Sequence, residues 1–264
     1  MKITIFTSNQ PRHISLIRSL SSIADEVFAV QECNTVFPGQ VEDFFKKSDV
    51  MQNYFANVMN AEKEVFGSPC FLPFNVQSLS LKAGDLNKLD MDTLRPALKS
   101  DFYVIFGSSF IKGGLIEFLV KKKAINIHMG LSPFYRGSSC NFWALYDDKP
   151  DYVGATIHLL SEGLDSGSML FHAVPEVGEI EPFLLGMYAV KSAHNGLVSA
   201  IRTGEILKME AIPQDKSLEI RYTRNKDFTD DVASSYLERQ PTAQEIFQSL
   251  KNRDLSILLN PHVE

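Results

Sequence analysis

Residues 2–30 read KITIFTSNQPRHISLIRSLSSIADEVFAV, and this stretch decides the fold. From Lys2 to Ser8 polar and apolar side chains alternate, the period of a strand. Residues 12–23 then carry Ile14, Leu16, Ile17, Leu20 and Ile23, an apolar stripe at helical spacing. Glu26 to Val30 reads as a second strand. Strand, helix and strand at such short intervals predict a parallel α/β sheet with helices packed on it.

The rest of the chain extends this pattern. Residues 41–66 bring Phe44, Phe45, Tyr54, Phe55, Val58 and Phe66 at amphipathic spacing and predict helix, in two pieces. Met91 to Leu98 predicts a short helix that Pro96 limits to a turn or two. Asp101 to Gly107 (DFYVIFG) is a continuous apolar run, as in a strand buried on both faces. Ile111 to Lys121 reads as helix, and Ala124 to His128 and Val153 to Leu160 read as strands. Pro182 to Thr203 reads as a long helix, with Pro at its start and Gly204 just past its end. Beyond Glu205 the chain becomes a slightly acidic tail with helices expected over 229–238 and 242–251. The expected organisation is an α/β domain over 1–205 and a small extension over 206–264.

Composition removes several classes of function. Of 264 residues, 44% are hydrophobic, enough for a core and incompatible with a disordered or fibrous chain. No apolar run reaches the ~18 residues that a membrane-spanning helix needs. The first residues turn polar too soon for a signal peptide, so a cytoplasmic, membrane-free location is expected. The formal charge of −6 lacks the basic footprint that phosphate backbones demand, so no nucleic-acid partner is expected. Cys33, Cys70 and Cys140 are odd in number and form no CxxC, so free thiols and no metal are expected.

Two stretches could carry chemistry. The first is Asn126-Ile127-His128-Met129-Gly130-Leu131-Ser132-Pro133-Phe134-Tyr135-Arg136-Gly137. Asn126 and His128 stand two apart on a strand and so share a face, while Ile125 and Ile127 take the other. They also stand at the C-terminal end of their strand, where open α/β sheets place ligands. A buried polar pair is costly unless bonded or used, and both a self-satisfied core pair and a working pair fit this spacing. The second stretch is Thr156-Ile157-His158 followed by Asp165-Ser166-Gly167. Asp165 alone reads equally as a turn former before Gly167. Together the stretches supply an amide donor, an imidazole and a carboxylate able to raise its basicity.

At these residues the sequence resembles the formyltransferases that use N10-formyltetrahydrofolate. Their hallmark is N-x-H, a loop of the form LxPxYRG, then TxH, then DxGxxL. Here it stands as Asn126-x-His128, Leu131 to Gly137, Thr156-Ile157-His158 and Asp165 to Leu170. The resemblance is close over about residues 100–170 and loose before that. It implies a Rossmann-like fold with a mixed, mostly parallel sheet, and catalytic roles for Asn126, His128 and Asp165. It also implies N10-formyltetrahydrofolate as co-substrate, with no metal. His158 would be a structural neighbour of Asp165. The pterin slot would involve Phe106, Gly107, Ser108, Ser109, Phe110 and Ile111, with Leu164, Ser166 and Gly167 beyond. Phe106 and Ile111 read equally well as core.

The acceptor must be read from what surrounds this core. After the first strand, Thr7 to His13 contains no glycine, and Pro11 removes a backbone donor, unlike the phosphate loop of glycinamide ribonucleotide transformylases. The short tail does not resemble the basic tRNA-binding domain of methionyl-tRNA formyltransferases. A core plus a short extension resembles the sugar N-formyltransferases, which act on UDP- or dTDP-linked 4-amino-4,6-dideoxy sugars destined for surface glycans or flagellin. Arg12, His13, Arg136, Tyr222 and Arg224 are the candidate substrate contacts, although Arg224 reads equally as a solvated surface residue. Phe142, Trp143 and Tyr146 are expected to pack as helix. A homodimer is the expected assembly. Other acceptors stay open: glycinamide ribonucleotide, a peptide-synthetase-bound amino acid and methionyl-tRNA. So do a formyltetrahydrofolate hydrolase, whose relatives carry a further N-terminal domain, and a non-catalytic folate-binding module.

Overall fold

In the computed structural model, which describes residues 1–34 and 48–264, the opening stretch forms β1 (Lys2–Thr7), α1 (Pro11–Ser21) and β2 (Glu26–Cys33). β1 and β2 pair in parallel. Alternation along β1 sends Ile3 and Ile5 to the face covered by Leu16, Ile17 and Leu20 of α1, and Phe6 to the opposite face. Pro11 opens α1, where its missing N–H is no loss.

The chain continues through α2 (Asp49–Phe66), β3 (Val76–Lys82), β4 (Phe102–Ile105), α3 (Gly113–Lys121) and β5 (Ile125–His128). Then come β6 (Tyr135–Gly137), α4 (Cys140–Tyr146), β7 (Ala155–Leu159), β8 (Met169–Val174) and α5 (Pro182–Thr203). The tail adds β9 (Arg221–Thr223), α6 (Asp230–Arg239), α7 (Ala243–Lys251) and β10 (His262–Val263). Ser48 caps α2 by accepting from the Met51 N–H, and Thr242 with Glu245 forms a capping box on α7.

The main sheet has eight strands in the order β10-β8-β7-β5-β4-β1-β2-β3. β3, β2, β1, β4 and β5 run parallel, and β7 is antiparallel to both its neighbours. The order reverses at β1 and β4, so the loops leaving their C-terminal ends diverge and open a crevice. Helices α1 and α5 cover one face around Ile3, Val27 and Val104, and α3 covers the other around Phe6, Val30 and Ile105. A third cluster joins Tyr54 of α2, Trp143 of α4, Leu185 of α5, Tyr236 of α6 and Ile246 of α7.

The mostly parallel, helix-flanked sheet follows the expectation. Residues 91–96 do not form the expected helix: they are turns ending in a single 3₁₀ turn at Ala97–Lys99, because Pro96 cannot donate into a helical ladder. Among the described residues of 41–66 there is one continuous helix, α2; Phe44 and Phe45 lie outside the described residues. The sequence reading passed over β3 and β8. β3 is a largely exposed edge strand, whereas β8 (MLFHAV) is buried throughout and has no alternation to reveal it.

Strand pairing and helix packing both tie the tail to the rest of the fold. β9 pairs with β6, β10 pairs with β8, and α6 and α7 bury Tyr236, Ile246 and Leu250 in the third cluster.

Candidate active site

β5 is short and central, and its last residues face the crevice. Ile125 and Ile127 are buried in the core cluster under α1 and α5, so the strand's alternation turns Asn126 and His128 the other way. β7 lies antiparallel beside it and sets His158 opposite Asn126 and Thr156 opposite His128. Thr156 Oγ1 donates to the Gly130 carbonyl at 2.6 Å and accepts from the Ser132 N–H at 2.8 Å, which ties the loop after β5 to β7.

The loop between β7 and β8 brings Asp165 to the pair. His128 Nδ1 lies 3.3 Å from Asp165 Oδ2, and Asn126 Nδ2 donates to Oδ1 at 3.3 Å. His158 Nδ1 lies 2.8 Å from the Leu159 carbonyl, so it carries the ring proton and leaves Nε2 to accept from Asn126 Nδ2 at 3.0 Å. His158 is therefore a rigid neighbour of the cluster, 3.8 Å from Asp165.

Asp165 has a positive φ of 45°, a conformation its short polar side chain tolerates. Gly167 is required here, because a Cβ at that position would stand 1.7 Å from the Leu159 carbonyl oxygen. From the tail, Gln214 Nε2 donates to the carbonyls of Asp165 and Gly167 at 2.8 and 2.9 Å. No sequence pattern marked Gln214, since it acts only through a long-range contact.

The electrostatics follow from this geometry. Burial opposes a charged His128, but Cys140 and the Asp165 carboxylate outweigh it and raise the imidazole well above the ordinary histidine range. Burial would push Asp165 up, yet His128 and His158 hold it well below the usual carboxylate range. Each partner thus favours the other's charged form, imidazolium beside carboxylate. Both His128 nitrogens and both Asn126 amide hydrogens are already engaged, so a bound substrate must displace at least one of these bonds.

Beside the cluster lies a cavity of about 190 Å³ whose lining includes Asn126, His158 and Asp165. Gly107, Ser108, Ser109, Phe110 and Ile111 form one wall and Leu164 another. Ser109 is held by a carboxylate that the sequence reading missed. Glu32, only 2% exposed, accepts from the Ser109 N–H at 2.6 Å and from its hydroxyl at 3.0 Å. Three of the expected slot residues do not line this space. Phe106 is buried against His13 and His194, Ser166 bonds Ser161, and Gly167 packs on β7.

The expected substrate contacts fall into two groups. Arg12 is paired with Glu62 at 2.9 Å, and His13 is buried, held neutral by burial and by Arg12. His13 therefore does not face solvent as a phosphate contact would. Arg136, Tyr222 and Arg224 converge instead, because β6 and β9 pair in register at Arg136 and Tyr222. The guanidinium carbons of Arg136 and Arg224 lie 6.0 and 5.9 Å from the Tyr222 ring centre, and Arg136 also bonds Glu219 at 2.8 Å. Phe142, Trp143 and Tyr146 pack on α4 as expected. Among the described residues no His, Cys, Asp or Glu cluster could hold a metal, and no helix is long and apolar enough to cross a membrane.

On the other side of the β5 terminus, a second cavity of about 720 Å³ is lined by Met129, Phe142, Asn141, Asn225, Lys226 and Phe228 among others. The sequence reading did not find it, because its walls come from α2, α4 and the tail and no local pattern joins them.

Residues 73–182 match the family described as formyl transferase. A methionyl-tRNA formyltransferase from Trichodesmium erythraeum is 26% identical over 155 residues, 58% of this chain and 46% of that protein. One from Synechococcus sp. is 32% identical over 128 residues, covering 38% of its length. The chain thus matches less than half the length of these curated relatives. Among solved structures, a 4-N formyltransferase from Francisella tularensis has a TM-score of 0.53 at 20% identity, covering 94% of this chain and 86% of that one. A formyltransferase from Anoxybacillus kamchatkensis, in complex with UDP-4,6-dideoxy-4-formamido-L-AltNAc and tetrahydrofolate, has a TM-score of 0.50 at 16% identity. That match covers 95% of this chain and 100% of the other.

Proposed function

We propose that this chain, which matches the formyl transferase family over residues 73–182, transfers a formyl group from N10-formyltetrahydrofolate to the amine of a nucleotide-linked amino sugar. The observation that carries this reading is the Asn126–His128–Asp165 cluster at the edge of a largely apolar cavity. The donor would supply the activated formyl carbon. The cavity suits a flat heterocycle: among the described residues Asp165 is the single charged side chain on its wall, and Phe110, Ile111, Ile116 and Leu164 supply apolar surface.

The residues divide the work by chemistry. Asn126 Nδ2 can turn one amide hydrogen from Asp165, its longer bond at 3.3 Å, to an oxygen that gains charge during transfer. His128 carries a proton between the incoming amine and the departing nitrogen, and Asp165 keeps the ring charged until that proton leaves. The acceptor would approach through the cavity beside Met129. Its aromatic walls would take a base and sugar, and Lys226 and the polar Asn141 and Asn225 would meet phosphate and hydroxyl groups. Arg136, Tyr222 and Arg224 would extend that surface. A formal charge of −6 suits a small nucleotide better than a tRNA backbone. The curated relatives favour methionyl-tRNA as a second reading.

One experiment separates these readings. The protein is incubated with N10-formyltetrahydrofolate and, in parallel, UDP- and dTDP-linked amino sugars, glycinamide ribonucleotide and methionyl-tRNA, and products are read by mass spectrometry. A formylated amino sugar is the expected product. Faster formylation of methionyl-tRNA would replace the sugar reading, and free formate without formylated amine would indicate a hydrolase.

A further inference from the structure

Cys140 has no role in the chemistry above, yet it touches the centre of the site. Its Sγ lies 3.4 Å from His128 Nε2, on the opposite side of the ring from Asp165, and 3.4 Å from the Gly137 carbonyl. Cys140 is 1% exposed. The approach is built in: a Cβ on residue 130 would stand 2.4 Å from Cys140 Cβ and 2.9 Å from His128 Nε2, so only glycine there lets the two meet. At 3.4 Å the sulfur and the ring nitrogen are in direct contact, too close for a water between them.

We propose that Cys140 is a positioning residue that holds His128 Nε2 through the catalytic cycle, so that the working proton is exchanged at Nδ1, on the side of Asp165 and Asn126. A thiol suits this task because it both donates and accepts. The ring keeps its Nε2 proton whether neutral or charged, and Nε2–H donates to the sulfur in both states. The S–H in turn donates to the Gly137 carbonyl, 3.4 Å away. Nε2 keeps its partner in either state, and the ring need not flip between states. The titratable groups facing His128 are Asp165 at Nδ1, Cys140 at Nε2, and His158 with its ring centre 6.5 Å away. Of these, the sulfur contact sets which nitrogen is left for Asp165.

The inference rests on His128 being the proton carrier of the proposed transfer, so its test reads the ring directly as well as turnover. The first measurement uses the unaltered protein: ¹⁵N–¹H correlation of the His128 ring across pH. The neutral form should carry its proton on Nε2; a neutral ring protonated at Nδ1 would overturn the proposal. The second compares Cys140→Ala with Cys140→Ser, each checked for native structure by circular dichroism. The alanine variant should lower the His128 pKa by about half a unit or more, because a partner of the charged ring is lost. Its kcat should fall about tenfold with KM little changed, the pattern of an interaction used after binding. Serine, which also donates and accepts, should restore most of both. An unchanged His128 pKa in the alanine variant would remove Cys140 from this role even if transfer proceeds. A change in pKa without any formyl transfer by the unaltered protein would leave the positioning contact standing and overturn the functional reading. Addition of one formyl mass to Cys140 on exposure to the donor alone would replace positioning with a covalent relay.

Discussion

At the scale of single residues, the cluster makes separable predictions for its members. Replacing His128 with Asn keeps a polar side chain of similar reach but removes the proton carrier. kcat should fall on the order of 10²-fold or more with little change in KM, as for loss of general acid–base catalysis. Steady-state kinetics on the amino-sugar substrate checks this, and near-normal kcat would exclude His128 from the mechanism. Asp165→Asn keeps size and deletes charge. Because the carboxylate raises the histidine value, its removal should lower it, and the His128-controlled limb of the pH–rate profile should move to lower pH. The amine substrate's own limb should stay in place. NMR titration of the ring in both proteins measures the shift, and an unchanged value with lost activity would assign Asp165 a purely geometric role.

At the scale of elements, the wall of the smaller cavity is held from outside the motif. Glu32 at the end of β2 accepts the N–H groups of Gly84 and Leu86 at 2.8 and 3.3 Å as well as both donors of Ser109. One buried carboxylate therefore joins the loop after β3 to the loop after β4. Glu32→Gln turns an acceptor into a donor facing other donors and should cost ~1–3 kcal/mol in loop order. The donor KM should rise about tenfold while kcat changes less, since the cluster on β5 is untouched. Titration of donor binding by fluorescence reads this without turnover; equal affinity in both proteins would show that the loop holds its shape without Glu32.

At the scale of the whole molecule, buried histidines set the response to acid. Burial holds His172 down to about 4 and His194 down to about 3, and His13 is also held well below its ordinary value. His172 is locked as the neutral form between the Ser132 carbonyl and the Leu259 N–H, each at 2.8 Å. Among the described residues neither ring nitrogen of His194 has a partner. A folded value below the unfolded one means that stability is complete above about 6.5 and falls as pH drops toward the folded value. His172 alone should cost ~3 kcal/mol over that window. His128 acts in the opposite sense: its contribution is present below about 6.5 and is lost as pH rises through its raised folded value. The melting temperature should therefore fall steeply between pH 6.5 and 4.5, and His194→Leu should flatten the fall by removing one buried proton acceptor. An equal slope in that variant would place the acid sensitivity elsewhere.

The sequence by itself determined whatever is carried by local period and local motif. The strand–helix–strand opening, the apolar run of β4 and the alternation of β5 gave the sheet and the shared face of Asn126 and His128. Their side-chain direction depends only on neighbours two residues away. The motif spacing pointed to Asp165 as the third member. Tertiary structure alone decided the rest, because each of those features joins residues far apart in the chain. Gln214 reaches the Asp165 loop from the tail, and Glu32 reaches Ser109 across 77 residues. His13 and Phe106, which look available beside their strands, are taken into the core by the packing of α1 and α5. Cys140 reads in sequence as an isolated thiol. Its meeting with His128 exists because the segment from β5 through β6 to α4, with glycine at 130, brings the helix start back onto the imidazole.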